Sequence, residues 1–263
     1  MRLSEFAAKL DDRLDTEAYA DVDASANGLQ VGPSPDAGAV GNDPVVDHAA
    51  FAVDAAMETI EAAADAGADV LVTHHGLVWG GLDRITGSDY ARLAPLVEGD
   101  LALYVSHLPL DGHQELGNAA GIADLLGVTD RAPFGELGGE YIGIHGEIPG
   151  GTSTTQLAET LETELDTGSG DVRLLDFGPA NVSDVAIVTG SGTDWLGEAV
   201  AAGVDVLVTG EGKGKVYHEA REAGISVVLA GHYATETFGV RALQDVVDGW
   251  GIETTYLGHP TGL

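Results

Sequence analysis

Over 263 residues, 43 acidic side chains face 11 basic ones, a formal net charge of -32 at pH 7. Such a surface repels phosphate backbones and anionic lipid, which argues against nucleic-acid and membrane partners, and the acids are spread along the chain instead of gathered in a binding tail. There are no cysteines, so disulfides, thiolate metal sites and Cys nucleophiles are excluded, and any metal must use imidazole and carboxylate ligands, which suit Zn, Fe, Mn or Ni.

The hydrophobic fraction of 44% is enough for a sizeable core. A dispersed acidic surface fits a halophilic source, where salt screens self-repulsion. The N-terminus carries no apolar leader and no run approaches a membrane span of ~18 apolar residues, so a cytoplasmic protein is expected.

In chain order, Leu3, Phe6, Ala7, Leu10 and Leu14 fall at helical spacing and predict a helix over 3–14. A short strand follows at 27–32, then a Gly/Pro/Asp-rich loop over 33–43, a strand at 50–54 and a helix over 55–66 stopped by Gly67. The stretch Asp69-Val70-Leu71-Val72-Thr73-His74-His75-Gly76 reads as a buried parallel strand running out into a loop at its two histidines. A glycine-rich loop with Trp79, a helix over 90–97, a strand at 101–105 leading into His107-Leu108-Pro109-Leu110-Asp111, and a helix over 116–126 complete this half.

The order then repeats. A helix over 152–165, strands at 172–178 and 185–190 and a helix over 195–202 lead to Asp205-Val206-Leu207-Val208-Thr209-Gly210-Glu211, 136 positions after the His-His stretch. A helix over 218–223 and a strand from 225 end in Gly231-His232-Tyr233-Ala234-Thr235-Glu236, where His232 and Glu236 match His107 and Asp111 at an offset of 125. The expected fold is α/β, with two related, duplicated halves (1–128 and 129–263, joined near 129–140) whose mixed sheets face a shared cleft.

In open α/β sheets ligands bind beyond the carboxyl ends of the strands. The candidate metal ligands His74, His75, Asp111, His232 and Glu236 all lie there, with His107 beside them. Taken singly each has a bland reading: a hydrogen-bonding loop histidine, a helix cap at Asp111, N-terminal helix charge at Glu236. Together, a His-His pair and two His-x-x-x-carboxylate units at equivalent places point to metal. Three imidazoles and two carboxylates suffice for two divalent ions if a carboxylate bridges them, and ions ~3.5–4 Å apart form a hydrolytic centre. His107 stands as a ligand's neighbour, an acid/base or a structural residue, its alignment with His232 favouring the site. Glu211 and His218 are equally pocket or structure, His113 and Asn118 are read as caps, and His48, His145 and His259 have no assigned role. Gly210 to Lys215 lacks the pattern of a P-loop.

Through Asn27-Gly28-Leu29-Gln30-Val31, Val72 to Gly76, His107 to Asp111 with Glu115-Leu116-Gly117-Asn118, Thr209-Gly210-Glu211 and Ala230 to Glu236, the sequence resembles the NIF-three-like dinuclear metal-centre hexameric proteins, the GTP cyclohydrolase I type 2 homologues, most closely the short YbgI type. The resemblance spans nearly the whole chain. It implies a toroidal homohexamer with two ions per subunit on His74, His75, Asp111, His232 and Glu236. The first expectation is a metal-dependent hydrolase of a small molecule or nucleotide. In its cyclohydrolase form, water activated between the ions attacks C8 of guanine, His107 moves the proton, and Arg84, Arg92, Lys213 and Lys215 are the nearest basic residues. The rivals are a non-enzymatic metal-binding ring or regulatory partner protein, and a DNA-associated ring, which needs a basic lumen that this composition scarcely provides.

Overall fold

The computed structural model describes residues 1–33 and 43–263, so most of the loop expected over 33–43 lies outside the described residues. The chain packs as two compact units: Met1–Leu110 with Val240–His259, and Asp111–Gly239 with Pro260–Leu263. By packing the units interleave along the chain, whereas the sequence repeat divides at 128/129.

The first unit holds α1 (Leu3–Leu14), β1 (Gly28–Val31), β2 (His48–Asp54), α2 (Met57–Asp65), β3 (Val70–His75), α3 (Ser88–Glu98), β4 (Ala102–Val105) and, near the end of the chain, β11 (Glu253–Tyr256). Its sheet runs β1-β4-β3-β2-β11, with β1 antiparallel to β4 and the other pairs parallel. Val70, Leu71, Val72 and Thr73 are all buried, as a parallel strand covered on both faces requires. Leu71, Leu103 and Val105 pack with Ile60, Ala63 and Leu96 of the helices. Phe6 of α1 meets Tyr104 and Trp250 edge to face.

The second unit holds α5 (Asn118–Leu125), β5 (Thr129–Leu137), β6 (Glu140–Ser153), α6 (Thr154–Glu164), β7 (Arg173–Leu175), β8 (Asn181–Ile187), α7 (Leu196–Ala202), β9 (Val206–Thr209), α8 (Val216–Ala223), β10 (Ser226–Leu229) and α9 (His232–Thr235). Two of the three unit boundaries fall inside helices, α4 (Leu108–Gly112) and α10 (Thr237–Asp248). The sheet runs β7-β10-β9-β8-β6-β5, with β8, β9 and β10 parallel and the remaining pairs antiparallel. Val185, Ile187, Val206, Val208 and Val228 pack beneath Ile122, Leu157 and Leu161.

The duplication is visible bond by bond. Ala49 pairs with Val70 and, 136 positions on, Val185 pairs with Val206. The Asp69 carboxylate takes the amides of Asp47 and His48 at 2.8 and 2.9 Å, and Asp205 takes those of Ser183 and Asp184 at 2.8 and 3.0 Å. Gly67 and Gly203 follow equivalent helices with φ of 70° and 75°, the left-handed turn a side chain would strain. At the next strand the offset slips. Val70 pairs with Ala102 and Val206 with Ser226, an offset of 124, while His107 and His232 stand 125 apart. The additional residue is Gly231, at φ 91°, its amide bonded to the Gly210 carbonyl.

Three local expectations need correction. The join at 129–140 is half of a long hairpin, turned by Gly138-Gly139 with Leu137 opposite Glu140. Pro133 is tolerated because β5 is the sheet's edge. The histidines do not lie beyond β3: they are its last two residues, and His75 is still paired with Asp54. Asp111, whose bland reading is a cap of the helix that follows, sits inside a short helix of its own, α4. Among the described residues no helix is long and apolar enough to cross a membrane.

Candidate metal centre

In the first unit β3 and the turn after β4 bring three imidazoles together. The ring centroids of His74 and His75 are 4.6 Å apart, those of His74 and His107 5.1 Å, and those of His75 and His107 5.7 Å. One nitrogen of each lies within 4.8 Å of the others, close enough to hold a metal ion.

Each ring is oriented through Nδ1. That of His74 lies 3.0 Å from the Ser106 carbonyl oxygen, that of His75 2.8 Å from Asp54 Oδ1, and that of His107 2.9 Å from Asp23 Oδ1. Carbonyls and carboxylates only accept, so Nδ1 carries the proton and, in the neutral ring, Nε2 carries the lone pair. Metal-ligating histidines almost always have this backing. Asp23 is itself held by the amides of Ser25 and Leu108 and the side chain of Asn27, whose Oδ1 accepts from the His107 amide. Burial opposes ionisation of Asp23, but the hydrogen bond and charge of His107, with Asn27 and the Ser25 amide, hold its carboxyl below the usual range.

In the second unit the donors are carboxylates. Asp111 and Glu236 are buried, and one oxygen of each lies within 4.8 Å of the other. Asp111 Oδ1 accepts from Asn118 Nδ2 at 2.9 Å and from the Thr189 hydroxyl at 3.1 Å. Glu236 Oε1 is 3.2 Å from His232 Nε2, and His232 Nδ1 is 3.2 Å from Glu211 Oε1. The Ser191 hydroxyl donates to Glu211. That bond, more than burial opposes it, lowers the Glu211 carboxyl, with help from His232. Burial disfavours a charged His232 ring, but Glu236 and Glu211 prevail and raise it to about 9.

Gly190 makes the space. At φ 58°, a Cβ there would stand 2.3 Å from Glu236 Oε1 and 3.1 Å from His232 Nε2. Two buried carboxylates this close repel in a low dielectric, and a cation relieves that cost. The donor sets of both units are of the kinds that hold divalent metal: three imidazoles backed through Nδ1 in one, two buried carboxylates beside an imidazole in the other.

The structure thus gathers His74, His75 and His107 in the first unit, and Asp111, His232 and Glu236 in the second. Glu211 joins the second group. Asn118 does not cap α5, whose N-cap is Gly117; it ties Asp111 to the Gly239 amide. His113 accepts from the Glu115 and Leu116 amides in the turn before α5. His218 is exposed, with its ring against Tyr217. His48 bonds Thr255, His145 lies by Phe134 and His259 faces Glu58, all apart from these clusters. Sequence reasoning missed Asp54 and Asp23. Asp54 had a signal, because it ends the strand next to β3 at the level of His75; Asp23, in an irregular segment far from His107 in sequence, had none. Lys213 is paired with Asp194, and Lys215 lies 3.8 Å from it.

The family model described as Duf34/NIF3 (NGG1p interacting factor 3) matches residues 1–258. A protein of Halobacterium salinarum named "GTP cyclohydrolase 1 type 2 homolog" is 59% identical over all of both chains, and one of Archaeoglobus fulgidus with the same name is 42% identical over all of both. Among solved structures, the YbgI protein, described as of unknown function, superposes with a TM-score of 0.88 at 32% identity, and a protein of Thermus thermophilus with 0.86 at 36%, each covering all of both chains. With the match running from the first helix through β11, the chain belongs to the Duf34/NIF3 family.

Proposed function

We propose that the chain is a dinuclear divalent-metal protein that hydrolyses a small molecule or nucleotide. In this reading His74, His75, Asp111, His232 and Glu236 would hold two divalent ions (Zn, Fe, Mn or Ni). Two ions together supply Lewis acidity and lower the pKa of water so that it attacks at neutral pH. The observation that carries the reading is the grouping of the three histidines, each fixed through Nδ1 and each with one ring nitrogen within 4.8 Å of the others.

His107 differs from its neighbours in being anchored by backbone and side chain at once, through Asn27 and Asp23. That suits a group which must hold its place while moving a proton, so we assign it the acid–base role. The names of the Halobacterium and Archaeoglobus relatives support a cyclohydrolase form, in which water opens the guanine imidazole ring at C8 and His107 Nε2 carries the proton. The Halobacterium relative and the charge of -32 support a halophilic source, and we place the protein in the cytoplasm. We extend the reading to assembly as a toroidal homohexamer, as the resemblance to the dinuclear metal-centre hexameric proteins implies.

Metal content measured by mass spectrometry, on protein purified in high salt without chelator, tests the centre. About two ions per chain are expected, falling on His75→Ala and on Glu236→Ala. Protein that arrives without metal and takes up no Zn, Mn, Fe or Ni on titration overturns it. Full metal with no turnover on any nucleotide leaves the centre standing and moves the function to a metal-binding ring with a protein partner.

A further inference from the structure

Trp79 is a large aromatic side chain held at the histidine cluster yet left 43% exposed. Its ring stands edge to face with His107, centroids 4.9 Å apart and planes at 78°, and 6.1 Å from His75. An exposed tryptophan on a drifting loop would carry no meaning. This one is fixed.

Three sets of bonds hold it. The indole Nε1–H donates to the Gly76 carbonyl at 3.1 Å. The backbone forms an antiparallel bridge to Ser25, flanked by Ala26 N–H to Val78 O at 3.1 Å and Gly80 N–H to Ala24 O at 2.7 Å. The Gln30 side chain accepts the amides of Leu77 and Val78 and donates to the Ala26 carbonyl. The segment that clamps Trp79, residues 23–27, also holds His107 through Asp23 and Asn27. One piece of chain therefore sets the indole and the imidazole relative to each other. Burial gains little from an indole left this open, whereas an aromatic face presented beside a reactive group is how proteins take planar rings.

We infer that Trp79 is the ring-binding surface of this site: a planar heteroaromatic ring the size of a nucleobase stacks on the indole and is held against His75 and His107. The inference rests on the hydrolase reading above and narrows its substrates to molecules with such a ring. A role limited to propping His107 would affect every ligand alike. Stacking affects only ligands with a ring.

The test uses metal-loaded wild-type protein, Trp79→Leu and Trp79→Tyr. Guanosine binding is measured by equilibrium dialysis, and indole quenching is followed in parallel. Ribose 5-phosphate serves as the ligand without a ring, and metal content is measured on the same samples. Guanosine affinity falls about tenfold in Trp79→Leu and returns to within about threefold of wild type in Trp79→Tyr, whose ring still stacks. Guanosine quenches wild-type fluorescence more than it quenches Trp79→Leu, in which Trp195 and Trp250 remain. Ribose 5-phosphate behaves alike in all three, as does metal content. Equal guanosine affinity in wild type and Trp79→Leu overturns the inference, and so does wild-type protein that binds none of guanosine, adenosine or uridine. Full metal with either result defeats the ring surface alone. Absent metal with guanosine binding that still depends on Trp79 defeats the dinuclear reading and keeps the ring surface.

Discussion

The two units share a frame and differ in what stands at the ends of its strands. In both, a central strand is tied to its neighbour by an aspartate that collects two amides, Asp69 in one and Asp205 in the other. An antiparallel strand closes one flank of each, β1 beside β4 and β7 beside β10. At the strand ends the correspondence of residue types stops. At an offset of 136, His74 becomes Gly210, His75 becomes Glu211 and Asp54 becomes Gly190. The first unit sets carboxylates behind two of its three imidazoles; the second sets buried Asp111 and Glu236 beside a single imidazole, His232, with Gly190 leaving room for Glu236. The framework bonds serve folding and survive duplication, whereas strand ends are free to diverge because little of the sheet depends on them.

The strongest way to break this comparison is to give the second unit the first unit's residue. Gly190→Asp places a Cβ where only 2.3 Å separates it from Glu236 Oε1, at a φ of 58°, and adds a carboxylate to two already buried. We expect a loss on the order of 3–5 kcal/mol in denaturant-induced unfolding, with at least one ion lost per chain on the reading proposed above. A variant with wild-type metal content and stability would mean that the glycine is incidental.

Next come the paired staples. Asp69→Ala and Asp205→Ala each strand two amides, and each should cost about 1–2 kcal/mol, less than two buried charged hydrogen bonds because the amides are partly exposed. The informative result is their equality. Costs differing by more than about 1 kcal/mol would show that the shared geometry does not bring shared energetics.

Much of this frame was legible in the sequence because duplication exposes itself as recurring spacing. The Asp-Val-Leu-Val-Thr strand and the glycine that stops the helix before it recur at an offset of 136, and the His-x-x-x-carboxylate units at 125. The β5–β6 hairpin was hidden because Pro133 and Gly135 break its alternation, although Leu137-Gly138-Gly139-Glu140 is a two-residue turn signal. Asn118 looked like a cap because it opens a helix, yet its amide is spent on Asp111. Asp23 was invisible because nothing local announces a hydrogen bond that spans 84 positions to His107.

A gentler probe compares the carboxylates behind and beside the imidazoles. Asp54→Ala removes the group that orients His75, and metal affinity should fall about tenfold with little change in fold, as for other partners one shell out from a metal. Titration with a competing chelator reads this directly. An unchanged affinity would indicate that the Gly76 turn and the β2–β3 ladder position His75 without Asp54.

The smallest effect is expected where the two loops after the equivalent strands differ most. Position 79 is Trp in the first unit, and at the same 136-residue offset the second unit has Lys215. Lys213 and Lys215 are exposed and gather around Asp194, whose carboxyl is lowered first by its hydrogen bond to Lys213 and then by the charges of both. Exposed pairs of this kind contribute ~1 kcal/mol or less, so the double change Lys213→Ala with Lys215→Ala should leave the unfolding midpoint nearly unmoved. That makes it a clean probe of substrate charge. If the lysines leave Asp194 to meet a triphosphate, GTP affinity drops in the double variant while guanosine affinity stays, and the loss shrinks as salt rises. If GTP and guanosine are affected equally, or neither is, Asp194 holds the lysines as surface structure, and the aromatic loop of the first unit becomes the leading site for discriminating among ligands.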